Sequence, residues 1–213
     1  MSERRNVLNA SETLVYWLDD RLYLNITNQC SNDCYFCIRK FRKGVGEFNL
    51  KLSMEPSTRR IIQALQERVH RRVWREAVFC GFGEPLTRLD AVLEVTSWIR
   101  RYTALTVRVD TNGHGYLLNP GRNVAEELRE AGVKRVSVSL NAHDSETYDA
   151  VCRPRFKNAF ESVLEFIRRA KEAGLTVEVT AVRIPEVNVE KVREIASRLG
   201  VGFRLREYIP CSW

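Results

Sequence analysis

No stretch of eighteen or more apolar residues occurs in the 213-residue chain, so no membrane-spanning helix is expected. No low-complexity tract occurs either, which removes the composition of a disordered arm. The opening residues, Met1 to Asn6, are polar and carry no apolar secretion signal. Without that signal, and at a length well beyond a small secreted scaffold, the six cysteines are not expected to form a disulfide framework. Histidine is scarce: His70, His114 and His143 are the only three. None stands three to five residues from another, as the paired histidines of a structural zinc site do. A cytoplasmic chain with reduced thiols is the expectation that remains.

Lysine and arginine exceed aspartate and glutamate by seven, and 44% of the residues are apolar. At this length one well-buried domain spanning 1–213 is expected, the chain being short for two. The positive balance fits an acidic partner or a solvated basic surface. It is concentrated at Arg39, Lys40, Arg42 and Lys43, at Arg68, Arg71, Arg72 and Arg75, and at Arg100 with Arg101. The second and third groups read as solvated surface, because lysine and arginine are mostly exposed. The first group, beside the cysteines described below, has two readings, a solvated loop or a rim that binds phosphates.

Residues 14–18 and 21–27 read as two strands around Asp19 and Asp20, a turn-favouring pair, and so as a hairpin. A helix is expected from Ser53 or Pro56, with Ile61, Ile62, Leu65 and Val69 on its apolar face. Beyond it, strands at 77–80, 105–110, 136–140, 176–182 and 203–209 alternate with helices at 89–100, 124–131, 156–173 and 189–199. Gly132 and Gly174, each between a helix and a strand, have the place of a left-handed helix cap. Six strands separated by helices at this spacing predict a parallel sheet. Periodicity by itself leaves open whether that sheet is doubly wound or part of a barrel.

Cys30, Cys34 and Cys37 fall within eight residues, directly after the second strand. Three thiolates on one loop can hold three irons of a [4Fe-4S] cluster, whereas the closed clusters of electron carriers take four. The fourth iron would stay open. Cys80, Cys152 and Cys211 are scattered singly, as small apolar residues commonly are, so no second cluster is expected. After the 77–80 strand stand Gly81, Phe82, Gly83, Glu84 and Pro85. Small residues there let backbone approach a ligand closely, and the carboxylate beside them can receive an ammonium group. The next strand ends in Asp110, Thr111, Asn112 and Gly113, and the one after it carries Ser137, Ser139 and Asn141 at alternate positions, hence on one face.

The spacing C-x3-C-x2-C after a first strand, with the aromatic Phe36 just before the last cysteine, resembles the radical S-adenosylmethionine (SAM) superfamily. That resemblance implies an α/β fold, a partial (β/α)6 TIM-like barrel with an N-terminal β-hairpin and its chemistry at the carboxyl ends of the strands. It implies a [4Fe-4S] cluster on Cys30, Cys34 and Cys37, with the amino and carboxylate groups of SAM on the open iron. Gly81, Gly83 and Glu84 match the family's Gly-Gly-Glu motif, whose backbone and acid hold the methionyl amine, while Phe82 replaces the second glycine. Phe36 is then expected beside the adenine. Ser139 and Asn141 are expected toward the ribose hydroxyls or the SAM carboxylate. Arg183 lies in the place of the adenine-contacting segment, where it either pairs with a carboxylate or faces solvent. Residues 110–113 are similar to the Asp-Thr-Asn-Gly of glycyl-radical-enzyme activases, which brings Asn112 to the site. Those activases often carry an acid where Asn141 stands, so their cation site is not carried over. Segments beginning at Leu22, Phe79, Asp110, Asn119 and Ser139 are similar to the TatD-associated radical SAM proteins, a label that confers no substrate.

The resemblance implies reductive cleavage of SAM to a 5′-deoxyadenosyl radical that takes a hydrogen from a substrate, with a reductant such as flavodoxin or ferredoxin as partner. The substrate itself is left open between two readings, a protein by analogy with small activases and a nucleic acid from the charge. A non-enzymatic iron-sulfur electron carrier accounts for the three cysteines, but it leaves residues 81–84 and 110–113 without purpose and would hold its cluster with four ligands.

Overall fold

The structure, a computed structural model, describes residues 12–209. The chain opens with the expected hairpin, β1 (Val15–Leu18) antiparallel to β2 (Arg21–Leu24), turned through Asp19 at φ +52°. Aspartate tolerates that left-handed conformation better than most side chains. Residues 25–27, expected to prolong the strand, instead leave the sheet. After the cysteines, β3 (Gly44–Val45) and β4 (Phe48–Asn49) form a small antiparallel ribbon. Then α1 (Thr58–Val69) begins, capped by the Ser57 side chain, which accepts from the Arg60 N–H, and burying Ile61 and Leu65.

The remainder alternates: β5 (Glu76–Phe79), α2 (Leu89–Tyr102), β6 (Thr106–Thr111), the single turn α3 (Gly115–Leu118), α4 (Val124–Ala131), β7 (Val133–Ser139), α5 (Ser145–Cys152), α6 (Ala159–Glu172), β8 (Thr176–Arg183), α7 (Val189–Leu199) and β9 (Gly202–Glu207). The sheet order is β1-β2-β5-β6-β7-β8-β9, and every pair beyond the hairpin is parallel. Each strand lies beside its successor. A doubly wound sheet reverses its strand order at a switch point; this one never reverses. It is the curled half-barrel of the (β/α) type, and it resolves the alternative that periodicity left open.

Gly132 caps α4 in the left-handed region, Gly174 follows α6 at φ +87°, and Gly200 does the same for α7. The helix expected over 156–173 starts at Ala159, after Asn158 in the left-handed region, and β7 starts three residues ahead of its expected position. Helix α5 was not anticipated. On one face of the sheet Val107, Val109, Val136, Val138, Val177 and Val179 are buried, with α2, α4, α6 and α7 packed against these strands. The other face, at the alternate positions, is polar: Arg204 donates to Glu178 and Ser137, Arg206 to Ser139, and Arg108 to Asp110.

Candidate functional site at the carboxyl ends of the strands

Helix α5 fixes the cysteine loop. The Asp33 N–H donates to the Cys152 and Arg153 carbonyls (3.1 and 3.2 Å), Tyr35 N–H to Val151 O (3.3 Å), and Arg155 N–H to Ser31 O (2.8 Å). From the other side Arg39 donates to Asn32 O (3.0 Å). Cys30, Cys34 and Cys37 are half-buried, and Phe36 meets Tyr35 edge to face at 5.4 Å. Burial pushes the Cys30 thiol up to about 12 and raises Cys37, while a hydrogen bond from the Cys152 thiol lowers Cys34. Metal ligation would therefore displace protons from Cys30 and Cys37. Among the described residues no three His, Cys, Asp or Glu side chains converge on one point, as the ligands of a single ion do. A [4Fe-4S] cluster asks for one thiolate per iron, and three soft thiol donors spread along one strapped loop fit that demand.

The loop after β5 locks against the start of the cysteine loop. An ideal Cβ on Gly81 would stand 2.1 Å from Asn25 Oδ1, and one on Gly83 2.5 Å from both the Thr27 and Gln29 carbonyls. Only glycine permits this approach. Phe82 points the other way, into a small apolar cluster with Tyr16 and Leu50 against the β3–β4 ribbon, which is why this position takes a bulky residue. Glu84 is 3% exposed. Its N–H donates to Gln29 O (2.7 Å), and its carboxylate accepts from Leu86 N–H (3.0 Å), Thr111 Oγ1 (2.7 Å) and Asn112 N–H (2.6 Å). Burial outweighs those three donors and holds its carboxyl up to about 7.

Asn112 carries the same junction to the cysteines. Its Nδ2 donates to Ser31 Oγ (2.8 Å) and approaches Cys30 Sγ (3.8 Å). Ser31 Oγ hydrogen-bonds His114 Nδ1 (2.9 Å), His114 Nε2 meets the Tyr148 hydroxyl (3.0 Å), and that hydroxyl accepts from Asn32 Nδ2 (3.0 Å). Burial lowers His114 to about 4, so it is neutral at pH 7. Ser31, His114 and Tyr148 were missed by sequence reasoning. The signals were a hydroxyl between the first two cysteines, a histidine directly after Asn112 and Gly113, and a tyrosine on the unanticipated α5.

Ser139 and Asn141 form a separate group. Both accept from Arg206 Nη2 (3.1 and 3.4 Å), and Asn141 Oδ1 also accepts from Val182 N–H (3.2 Å). Arg206 Nε is buried without a hydrogen-bond partner. Arg183 joins neither group: it pairs with Glu207 at 3.0 Å and is 59% exposed, so it has a carboxylate partner and faces solvent as well. Cys80 has its carbonyl bonded by Tyr16 (3.2 Å) and Cys152 is buried against Cys34, while Cys211 lies outside the described residues.

The family model described as the radical SAM superfamily matches residues 24–199. Among curated proteins, a GTP 3′,8-cyclase of Rhodococcus opacus is 31% identical over 97% of this chain and 58% of its own length. A probable GTP 3′,8-cyclase of Thermoplasma volcanium is 29% identical over 88% of this chain and 53% of its own. The chain thus spans about half the length of the curated relatives it matches. Among solved structures, Streptococcus suis SuiB shares the fold with a TM-score of 0.63 at 15% identity, covering 86% of this chain and 38% of that one. A methylornithine synthase does so at 0.60 and 16%, covering 89% and 53%. With its barrel confirmed and the family match running from β2 through α7, the chain belongs to the radical SAM superfamily, whose members use a [4Fe-4S] cluster and SAM.

Proposed function

We propose that the chain holds the cluster through Cys30, Cys34 and Cys37, binds SAM beside it, and takes a hydrogen atom from a substrate. The observation that supports this best is the junction itself, where Gly83 and Glu84 pack on the backbone that leads into Cys30. When bound, the cluster supplies one electron and SAM the 5′-deoxyadenosyl group that abstracts hydrogen. The residues supply position. An ionised carboxylate has about four acceptor positions, and Glu84 uses three on neutral donors. The methionyl ammonium is the partner for the fourth, and its charge would restore the ionised form that burial disfavours. Asn112 steadies the Cys30 sulfur, Phe36 offers an apolar face to adenine, and Ser139 with Asn141 and Arg206 presents hydroxyl, amide and guanidinium to polar groups of SAM. A single core domain of the TatD-associated kind, acting in the cytoplasm with a flavodoxin or ferredoxin as reductant, completes the reading. The names of the curated relatives make a nucleotide the first substrate to offer.

Anaerobic reconstitution followed by dithionite and SAM tests this, with 5′-deoxyadenosine as the expected product and none from Cys34→Ala. A cluster that forms, accepts electrons and leaves SAM intact would make the chain an electron carrier instead.

A further inference from the structure

Two of the three basic groups are occupied locally. Arg68 lies over Trp17 (5.1 Å), Arg72 over Trp74 (3.8 Å) and Arg101 over Tyr102 (5.4 Å). Arg71 and Arg100 donate to the Glu67 and Glu130 carbonyls, and Arg75 pairs with Asp20 (3.7 Å). The group after the cysteines divides. Arg39 donates to Asn28 O (3.4 Å) and Asn32 O, and Lys40 pairs with Asp33 (2.8 Å), so both brace the cluster loop. The side chains of Arg42 and Lys43 make no ion pair or hydrogen bond among the described residues, and neither does that of Lys51, which stands just beyond β4. All three line one cleft of about 550 Å³ together with Phe41 and Phe82.

Like charges held together without counter-charges raise the local positive potential and select an anion. Lysine meets phosphate as a point charge, and arginine as a fork. Among the described residues the only carboxylate lining this cleft, Asp33, is already engaged by Lys40. The volume falls in the range of small-molecule sites, which favours a mononucleotide over a polymer. Phe41 is 41% exposed, which leaves its ring accessible for stacking on a base. Phe82 is flanked by Gly81 and Gly83, so the cleft abuts the loop beside the cluster site. We propose that this cleft holds the phosphates of a nucleoside di- or triphosphate, with its base against Phe41. That the nucleotide is the substrate rests on the function proposed above; that it binds does not.

Calorimetric titration of the reconstituted protein, without SAM or reductant, with GTP, with inorganic tripolyphosphate and with a 12-nucleotide single-stranded RNA tests the assignment. Wild type should bind GTP and tripolyphosphate, more weakly as salt screens the contacts. The variant R42Q/K43Q/K51Q should lose at least tenfold in affinity for both, and Phe41→Ala should weaken GTP alone. If the triple variant does not fold, Lys51→Gln and the salt series on wild type carry the test. Equal GTP affinity in the variants, salt-independent binding, or RNA held more than tenfold tighter than GTP would overturn the proposal. Failure of SAM cleavage would overturn the proposed function and leave the binding result standing. A protein that binds GTP and cleaves SAM, yet leaves GTP and its diphosphate unaltered, would remove the substrate role.

Discussion

A buried glutamate stands at the start of β5 and another in the loop that leaves its end, and the two are held in opposite ways. Glu76, 2% exposed, faces Arg108 at 3.1 Å, Arg21 at 3.3 Å and Arg135 at 3.9 Å. Its Oε2 makes no aligned hydrogen bond, so charge attraction holds it. Glu84 has no cation in ion-pair reach among the described residues and is held by neutral donors alone. The amino end of the half-barrel is thus closed by charges that satisfy one another. At the carboxyl end, where barrels place their chemistry, Glu84 is left without a cation, and the methionyl ammonium is the partner proposed for it.

The largest effect should come from breaking the closed end. Glu76→Ala leaves guanidinium groups facing one another, which costs about 3–5 kcal/mol when a buried charge loses its partner. The partial exposure of Arg21 and Arg135 places the loss toward the low end. Urea unfolding measures it, and a loss under about 1 kcal/mol would make the cluster a solvated one.

The open end should show itself in pH dependence. Glu84 titrates at about 7 in the folded chain against an ordinary 4.5, so the folded form binds its proton more tightly. That contribution is full below about pH 4.5 and is lost as pH rises through 7, on the order of 3 kcal/mol. His114, lowered from 6.5 to about 4, contributes the reverse. Its share is full above pH 6.5 and lost as pH falls through 4, again on the order of 3 kcal/mol. Between pH 4.5 and 6.5 the two slopes oppose each other. In the cluster-free protein Glu84→Gln should therefore expose a loss toward acid, and His114→Gln a loss toward neutral. Parallel stability curves for wild type and both variants would contradict the burial of either group.

For the ligand, Glu84→Gln should weaken SAM about ten- to a hundredfold, the worth of a hydrogen bond to a charged group at about 1.5–3 kcal/mol, with iron content near wild type. Unchanged affinity would place the ammonium elsewhere. The smallest effect is expected at Tyr148→Phe, which unpairs Asn32 and His114 behind the cysteine loop and should cost about 1–2 kcal/mol in urea.

What the sequence made legible was local. The hairpin, the strand and helix alternation and the bounds of α4 and α7 follow from capping residues and apolar periodicity, whereas Cys30, Cys34, Cys37, Gly81, Gly83 and Glu84 were singled out through their resemblance to family motifs. Partners made by the fold were not legible. His114 and Tyr148 stand 34 positions apart, and α5 is short, so its role as the strap for Asp33 and Tyr35 appears only in three dimensions. Arg39, Lys40, Arg42 and Lys43 read as one patch, yet the 3-10 turn Ile38–Lys40 turns the first two back onto the loop and leaves the others to join Lys51.

The open iron is the central claim, and electron paramagnetic resonance of the anaerobically reconstituted, dithionite-reduced protein with and without SAM tests it most directly. One [4Fe-4S] signal that changes on adding SAM, and that is absent from Cys30→Ala, Cys34→Ala and Cys37→Ala, is the predicted result. A cluster signal indifferent to SAM, or stoichiometric zinc in place of iron, would contradict it.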